Sequence, residues 1–307
     1  MRIAVVGAGG VGGGFGAALA KAGADVTFIA RGAHLAAMKR DGLKVQSPRG
    51  DTHLVPTKAT DNPAEIGVVD IVLFCVKLWD VESAGGAIKP LIGPGTAVIP
   101  LQNGIDAAER LVPILGNSAV TGGVAQISAS IIAPAVIQQI GTFMRMIFGE
   151  LDGKRSKRGE DFLALCQKAG FDATLSDRIV TELWMKFILL ATNAGITAAT
   201  RRPIGELRDD PDIRPVMTAA VREVFEVGKA KGVALPTDAV DKIFDFIGHA
   251  PPAMKASMAL DLERGNRLEL PWLNGKVVEL GRQLGVATPT HGMMYAMLKP
   301  YVMGKPA

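Results

Sequence analysis

Arg2-Ile3-Ala4-Val5-Val6-Gly7-Ala8-Gly9-Gly10-Val11-Gly12 decides how the chain is read. A short apolar run meets a Gly-x-Gly-x-x-Gly spacing, and an apolar helical pattern continues over Val11–Ala22. Alone, the glycine spacing is a weak signal. Between a strand and a helix it predicts the first turn of a dinucleotide-binding sheet. Gly7 would make the tight turn, Gly9 would let the backbone approach a pyrophosphate, and Gly12 would let helix and strand pack closely. Ala8, Gly10 and Val11 complete the turn, where free N–H groups and the helix dipole favour an anion. The alternative is a glycine-rich turn without a ligand, and the flanking strand and helix speak against it.

Working outward, the second strand, Asp25-Val26-Thr27-Phe28-Ile29-Ala30, ends at Arg31. A site for NAD usually places Asp or Glu there, on the ribose hydroxyls; a cation suits a 2′-phosphate, which predicts NADPH. A surface arginine is the other reading. Further strands over Ile71–Val76 and Ala97–Pro100 deliver Lys77 and Gln102-Asn103-Gly104. Ligands of open α/β sheets lie beyond the carboxyl ends of the strands, so Lys77 and Asn103 can point into a cofactor cleft. Either can instead be solvated, and Asn103 can cap the following helix. More strands are expected near Ala119–Val124, Ala135–Ile140 and Arg145–Phe148, and helices over Asp106–Leu115 and Glu160–Lys168. The first half is therefore expected to be a Rossmann-type doubly wound α/β sheet.

After Ser176 the texture changes to long amphipathic patterns, about 177–199, 212–231, 237–247, 252–264, 269–284 and 290–299. This predicts a C-terminal all-α domain, with the division at 1–174 and 175–307. A chain of 307 residues that is 48% hydrophobic can fill two cores. Its 34 Lys and Arg against 30 Asp and Glu, with a pI near 9.1, favour anionic ligands but give no basic, aromatic-interleaved patch for nucleic acid. Two cysteines, Cys75 and Cys166, make no disulfide framework and fit a reducing cytoplasm. The uncharged stretch Leu111–Met144 is punctuated by Gly, Asn, Ser, Gln and Pro, so it reads as strands and turns and not as a membrane span. His34, His53, His249 and His291 show no metal-ligand spacing.

Chemistry is expected in the second half. Glu182-Leu183-Trp184-Met185-Lys186 leads into Phe187-Ile188-Leu189-Leu190-Ala191. A lysine bordering so apolar a run predicts partial burial, a lowered pKa and proton transfer near neutral pH. A lysine snorkelling at a helix edge is the bland reading. At about 100° per residue, Asn193 and Thr197 share its face. That stripe reads either as a ligand-facing seam or as a core hydrogen-bond network. Ser257 and Asp261 share a later helical face, and Glu269 stands between leucines ahead of Pro271 and Trp272-Leu273-Asn274-Gly275. A carboxylate so placed is ion-paired or functional.

Taken in order, these segments resemble the ketopantoate reductase family over nearly the whole chain. The resemblance rests on the glycine turn with Arg31, Val76-Lys77, Gln102-Asn103-Gly104, Glu182-Leu183-Trp184-Met185-Lys186, Gly205-Glu206-Leu207, Ser257-Met258 and Glu269 with Asn274-Gly275. It implies NADPH-dependent reduction of 2-dehydropantoate to pantoate, on the route to pantothenate. It makes Lys186 the general acid, Glu269 its catalytic partner near cofactor and substrate, and Ser257 the holder of the substrate carboxylate. Lys77 and Asn103 fall where cofactor and substrate meet, with Gln102 and Ile127 among the cofactor contacts; Asn193, one residue off the family's register, and Thr197 are candidate substrate contacts by helical phase alone. The family lines its pocket with asparagines where this chain has Leu190, Ala194, Ile204 and Met254, which points to a less polar 2-oxo acid. Two other readings stay open: a two-domain dehydrogenase of a 3-hydroxy acid or polyol phosphate, for which Arg201-Arg202 would supply cations, and a non-catalytic NADPH-binding sensor. A small-molecule 2-oxo acid is the expected partner, with no nucleic acid or membrane, and the apolar helical half leaves room for a homodimer.

Overall fold

A computed structural model describes residues 1–305. They form two compact units, Met1–Gln102 with Asp106–Ile179, and Asn103–Ile105 with the chain from Val180 onward. The expected division at 174/175 falls at the end of a strand, Asp172–Leu175, that belongs to the first unit.

The first unit contains strands β1 (Arg2–Val6), β2 (Asp25–Ile29), β3 (Leu43–Gln46), β4 (Thr52–Leu54), β5 (Ala59–Thr60), β6 (Ile71–Phe74), β7 (Ala97–Pro100), β8 (Gly122–Ala133), β9 (Val136–Gly149) and β10 (Asp172–Leu175). Its helices are α1 (Gly10–Lys21), α2 (Gly32–Asp41), α3 (Val81–Ala87), α4 (Ala107–Leu115) and α5 (Lys157–Lys168). The main sheet runs β5-β2-β1-β6-β7 with every pairing parallel. From β1 the chain steps one way to β2 and the other way to β6, so the order reverses beside the glycine turn. That reversal is where open α/β sheets bind ligands. β6 and β7 are buried at every residue, as strands covered on both faces must be.

A second sheet runs β10-β9-β3-β4, with β8 antiparallel on β9. α1 packs between the two sheets. A Cβ at Gly13 would run into Ile137 of β9, and one at Gly16 into the ring of Phe28 of β2. Close packing on both sides thus explains a helix reading Gly-Val-Gly-Gly-Gly-Phe-Gly, despite a helix cost of about 1 kcal/mol for each glycine.

Three sequence expectations change here. The strands read near 119–124, 135–140 and 145–148 are one long hairpin, β8–β9. The apparent break is a bulge: Ile127 faces Met144 and Ala129 faces Gln139, which leaves residues 140–143 opposite residue 128. Gly141, at φ +70°, lies in that bulge. α2, α3 and the short strands β3, β4 and β5 were not legible, being too brief to show a period.

The second unit is helical: α6 (Ile179–Thr200), α7 (Ile204–Leu207), α8 (Ile213–Ala230), α9 (Ala239–His249), α10 (Ser257–Arg264), α11 (Asn274–Leu284) and α12 (Pro289–Leu298). α6 is long and apolar enough to cross a membrane, yet Phe187, Ile188, Ala191 and Ala194 make it the core helix of this unit. The patterns at 252–264 and 269–284 begin late, at Ser257 and Asn274. Leu270–Trp272, with Pro271 in its first positions, forms a single 3₁₀ turn ahead of α11.

A buried polar network joins four of these helices. Asn274 Nδ2 donates to the Ala191 carbonyl of α6 (3.2 Å) and to His291 Nδ1 (3.0 Å). His291 Nε2 then carries the proton and donates to the Ala220 carbonyl of α8 (3.1 Å). The Glu223 carboxylate accepts the N–H groups of Thr290 and His291 at the start of α12. Burial pushes the His291 pKa down to about 4.

Candidate active site

The glycine turn has the shape its sequence predicts. Gly7 takes φ +92°, open to glycine alone at little cost, and a Cβ there would press on the Cys75 backbone of the neighbouring strand. A Cβ at Gly12 would overlap the Gly7 carbonyl oxygen, so this glycine sets how closely α1 meets β1. At Gly9 a Cβ would meet nothing within 4 Å, which leaves the backbone open to an incoming group. The first N–H groups of α1 have no partner within their helix, and their dipole favours an anion. A dinucleotide pyrophosphate fits this cradle. Gly10 also meets a packing need. A Cβ there would strike the Ala129 backbone of β8, so its small size serves packing.

Around the turn, Arg31 is exposed at the N-cap of α2, just past the buried end of β2. Lys77 is exposed beyond β6, its amine 5.8 Å from the centre of the Trp79 ring. Ile127 of β8 is half-buried against Gly14 of α1. Gln102 turns inward. Its side chain is buried, and Nε2 donates to the carbonyls of Phe74 (2.9 Å) and Val76 (3.1 Å). It ties the end of β7 to the end of β6 and is already engaged in doing so.

The second unit gathers three of the expected residues. Lys186, half-buried on α6, donates from Nζ to Asn103 Oδ1 at 3.1 Å. Asn103 follows β7 in the chain, but the segment Asn103–Ile105 belongs with the second unit, and Ile105 packs on that unit's core. Glu269, only 5% exposed, sits between the buried Leu268 and Leu270. Burial pushes the Lys186 pKa down to about 8, and the negative Glu269 works against that fall. An amine so poised is charged at neutral pH yet ready to give up a proton.

Residues 3–153 match the family described as ketopantoate reductase PanE/ApbA, and residues 178–302 match its C-terminal part. The 2-dehydropantoate 2-reductase of Caulobacter vibrioides is 32% identical over 307 residues, covering 96% of this chain and 97% of that protein. The chain belongs to the ketopantoate reductase family. A crystal structure of a PanE/ApbA family ketopantoate reductase from Ralstonia eutropha JMP134 has a TM-score of 0.90 at 31% identity, covering 98% of both chains. D-mandelate dehydrogenase, in a ternary structure with NADH and anilino(oxo)acetate, has a TM-score of 0.89 at 21% identity over 98% of both chains, which speaks for the fold alone. Membership makes the chain an oxidoreductase of the ketopantoate reductase type that uses a nicotinamide cofactor.

Other candidate residues, from helical phase and from the family likeness, lie elsewhere in the second unit. Thr197 is fully buried; its hydroxyl donates to the Asn193 carbonyl (2.6 Å) and accepts the Ala256 N–H (3.4 Å). It belongs to a core hydrogen-bond network and is withdrawn as a substrate contact. Asn193 is 7% exposed, and its Oδ1 has no hydrogen-bond partner among the described residues. Ser257 is exposed at the first position of α10. Of the four positions where the family carries asparagines, Ala194 and Ile204 lie inside the core, while Leu190 and Met254 are partly buried against it. Among the described residues no cluster of three or more His, Cys, Asp or Glu is placed to hold a metal.

Sequence reasoning passed over His34 and His291. It tested histidines only for metal spacing, whereas both bond to backbone groups distant in sequence. For His34 a usable signal existed: it lies three residues past Arg31, beside the presumed dinucleotide turn.

Proposed function

We propose that this family member reduces the ketone of a 2-oxo acid to a hydroxyl with NADPH, and that 2-dehydropantoate is the first substrate to try. The reading rests on one observation, the Lys186 amine bonded to Asn103 with buried Glu269 acting on it. When bound, the dinucleotide supplies a hydride to the carbonyl carbon. Charge builds on the carbonyl oxygen as the hydride arrives. The Lys186 ammonium stabilises that charge and then donates its proton to it. Asn103 fixes the amine's direction, Glu269 keeps it protonated, and Ser257, exposed and at a helix start, offers a hydroxyl and an N–H to the substrate carboxylate. Lys77 supplies a second cation near the end of β6.

Arg31 supports NADPH over NADH, because an exposed guanidinium after β2 pairs with a 2′-phosphate. One specific observation favours a second substrate reading. Leu190 and Met254, partly buried at positions where the family carries amides, offer a substrate hydroxyl or carboxylate no hydrogen bond, which fits a less polar 2-oxo acid.

Steady-state rates with NADPH and with NADH, across 2-dehydropantoate and 2-oxo acids of rising size and apolarity, test all of this. Turnover of at least one 2-oxo acid is expected, faster with NADPH, and Arg31→Ala should weaken NADPH much more than NADH. No turnover across the panel would leave a cofactor-binding protein in place of an enzyme. Equal losses of both cofactors in Arg31→Ala would remove the 2′-phosphate assignment.

A further inference from the structure

His34 stands in the first turn of α2 and has no part in the chemistry above. Its Nδ1 accepts the N–H of Ala135 at 3.1 Å, and its Nε2 lies 2.9 Å from the Ala8 carbonyl oxygen. Acceptance at Nδ1 leaves the proton on Nε2, which donates to Ala8. One neutral tautomer therefore satisfies both bonds. Partial burial holds the ring's pKa below the ordinary histidine value.

Both ends of this bridge are unusual. Ala135 adopts φ +59° in the two-residue turn that joins β8 to β9, directly after Pro134. Proline followed by positive φ is the order of a type II turn, where glycine is the usual second residue. The left-handed conformation costs an alanine about 1–2 kcal/mol. His34 holds it from one side, and the Lys44 N–H, bonded to the Ala135 carbonyl at 2.9 Å, holds it from the other. Ala8, at the other end, immediately precedes Gly9. In a planar trans peptide the Ala8 carbonyl and the Gly9 N–H point in opposite directions. Drawing the carbonyl toward His34 turns the Gly9 N–H away from it. Among the described residues no backbone carbonyl accepts that N–H, and the surroundings of the Gly9 Cα are open.

We propose that His34 is a positioning residue for dinucleotide binding, strapping the glycine turn to the β8–β9 turn and thereby aiming the Gly9 N–H at the cofactor pyrophosphate. The inference rests on reading the glycine turn as the dinucleotide site. It also gives cofactor affinity a dependence on pH. The glycine turn carries no titratable group, nor does any residue from Leu111 to Met144, which includes the β8–β9 turn. On the adjoining elements, Arg31 is exposed at the N-cap of the ring's own helix, Lys39, Arg40 and Asp41 are exposed in its last turn, Lys44 is exposed on β3, and Arg145 is half-buried on β9. Protonating His34 fills Nδ1, removes the acceptor for Ala135 and loosens the strap as the pH falls.

The test is calorimetric titration of the full chain with NADP⁺, in a series descending from about pH 8 to the lowest pH at which circular dichroism shows the chain folded, because burial holds the ring's pKa below the usual histidine value. Wild type is compared with His34→Ala, His34→Gln, His34→Asn and Gly9→Ala. Loss of one or two hydrogen bonds that hold the turn should make His34→Ala bind about five- to thirtyfold more weakly near pH 8. In turnover assays its KM for the cofactor should rise more than kcat falls. The ratio of the two affinities should shrink toward one as the pH falls through the ring's pKa, and taking a ratio cancels the titration of the 2′-phosphate itself. Gln, which keeps a donor in reach of Ala8, should recover more affinity than Asn, which keeps only the acceptor for Ala135.

Gly9→Ala creates no clash, so its loss of affinity in a folded protein checks the turn independently. If Gly9→Ala binds like wild type, the turn is not the site, and that reading falls. If Gly9→Ala fails to bind while a folded His34→Ala binds like wild type, or if the affinity ratio stays constant with pH, the role given to His34 is overturned. Should His34→Ala not fold, the Gln and Asn variants decide: stronger binding by Gln supports the strap, and equal binding by both overturns it.

Discussion

Lys186 holds its proton between two opposing influences, desolvation that favours release and a buried carboxylate that favours retention. Removing the amine should therefore remove the acid without touching the dinucleotide turn. Lys186→Ala is expected to lower turnover by roughly two to four orders of magnitude, the worth of a positioned acid. Cofactor affinity, read by calorimetry on the folded variant, should change little. The sign of the pH effect follows from the same balance. Reduction needs the protonated amine, so the rate should fall as pH rises through about 8. Glu269→Gln withdraws the charge that raises this pKa, so the descending limb of the rate profile should move to lower pH. A limb that stays in place would detach Glu269 from Lys186. At this scale the candidate residues were legible. An apolar helix bordered by one lysine, and a glutamate between leucines, announced themselves. Burial was harder to read: helical phase puts Thr197 on the face of α6 that carries Lys186, about three turns on, but phase does not reveal that Thr197 is buried against Ala256. His34 was hidden because its partners are two backbone groups, one of them about a hundred positions away.

Elements were legible where a period or a punctuating residue ran long enough. The glycine turn and β1 through α1 read directly, as did the long helices α6 and α8. The β8–β9 hairpin did not, because a bulge interrupts the alternation. That contact between elements is itself testable at Gly12. An alanine there must displace the Gly7 carbonyl or lift α1 from β1. Gly12→Ala should cost about 1–3 kcal/mol, the usual range for forcing a group into filled space. Chemical denaturation would read it as a lower midpoint with an unchanged slope. A variant as stable as wild type would show that α1 can shift, and that Gly12 is not the determinant of its approach.

Across the whole molecule, the His291 network predicts how stability depends on acidity. The folded pKa of about 4 lies below the unfolded value of 6.5, so the unfolded chain binds the extra proton between those limits. The contribution of His291 is thus complete above about pH 6.5 and is lost as the pH falls toward 4. Thermal midpoints across this interval should decline in wild type, and less steeply in His291→Gln, which should start from a lower value near neutrality. Identical slopes would place the acid sensitivity elsewhere.

Asn103–Ile105 has a consequence for modular exchange among relatives. The chain enters the helical unit for three residues, leaves it, and returns for good at Val180. The helical unit is therefore discontinuous in the gene, and a fragment or chimera cut at 180 omits the residue that receives the Lys186 hydrogen bond. Transplanting 180–307 alone onto a foreign first half joins the lysine to an asparagine segment selected beside a different helix. A transplant that carries 103–105 as well keeps the native pair. Hybrids of the second kind should retain more turnover than hybrids of the first, even where both fold equally well, so recombination boundaries in this family need three cuts and not one.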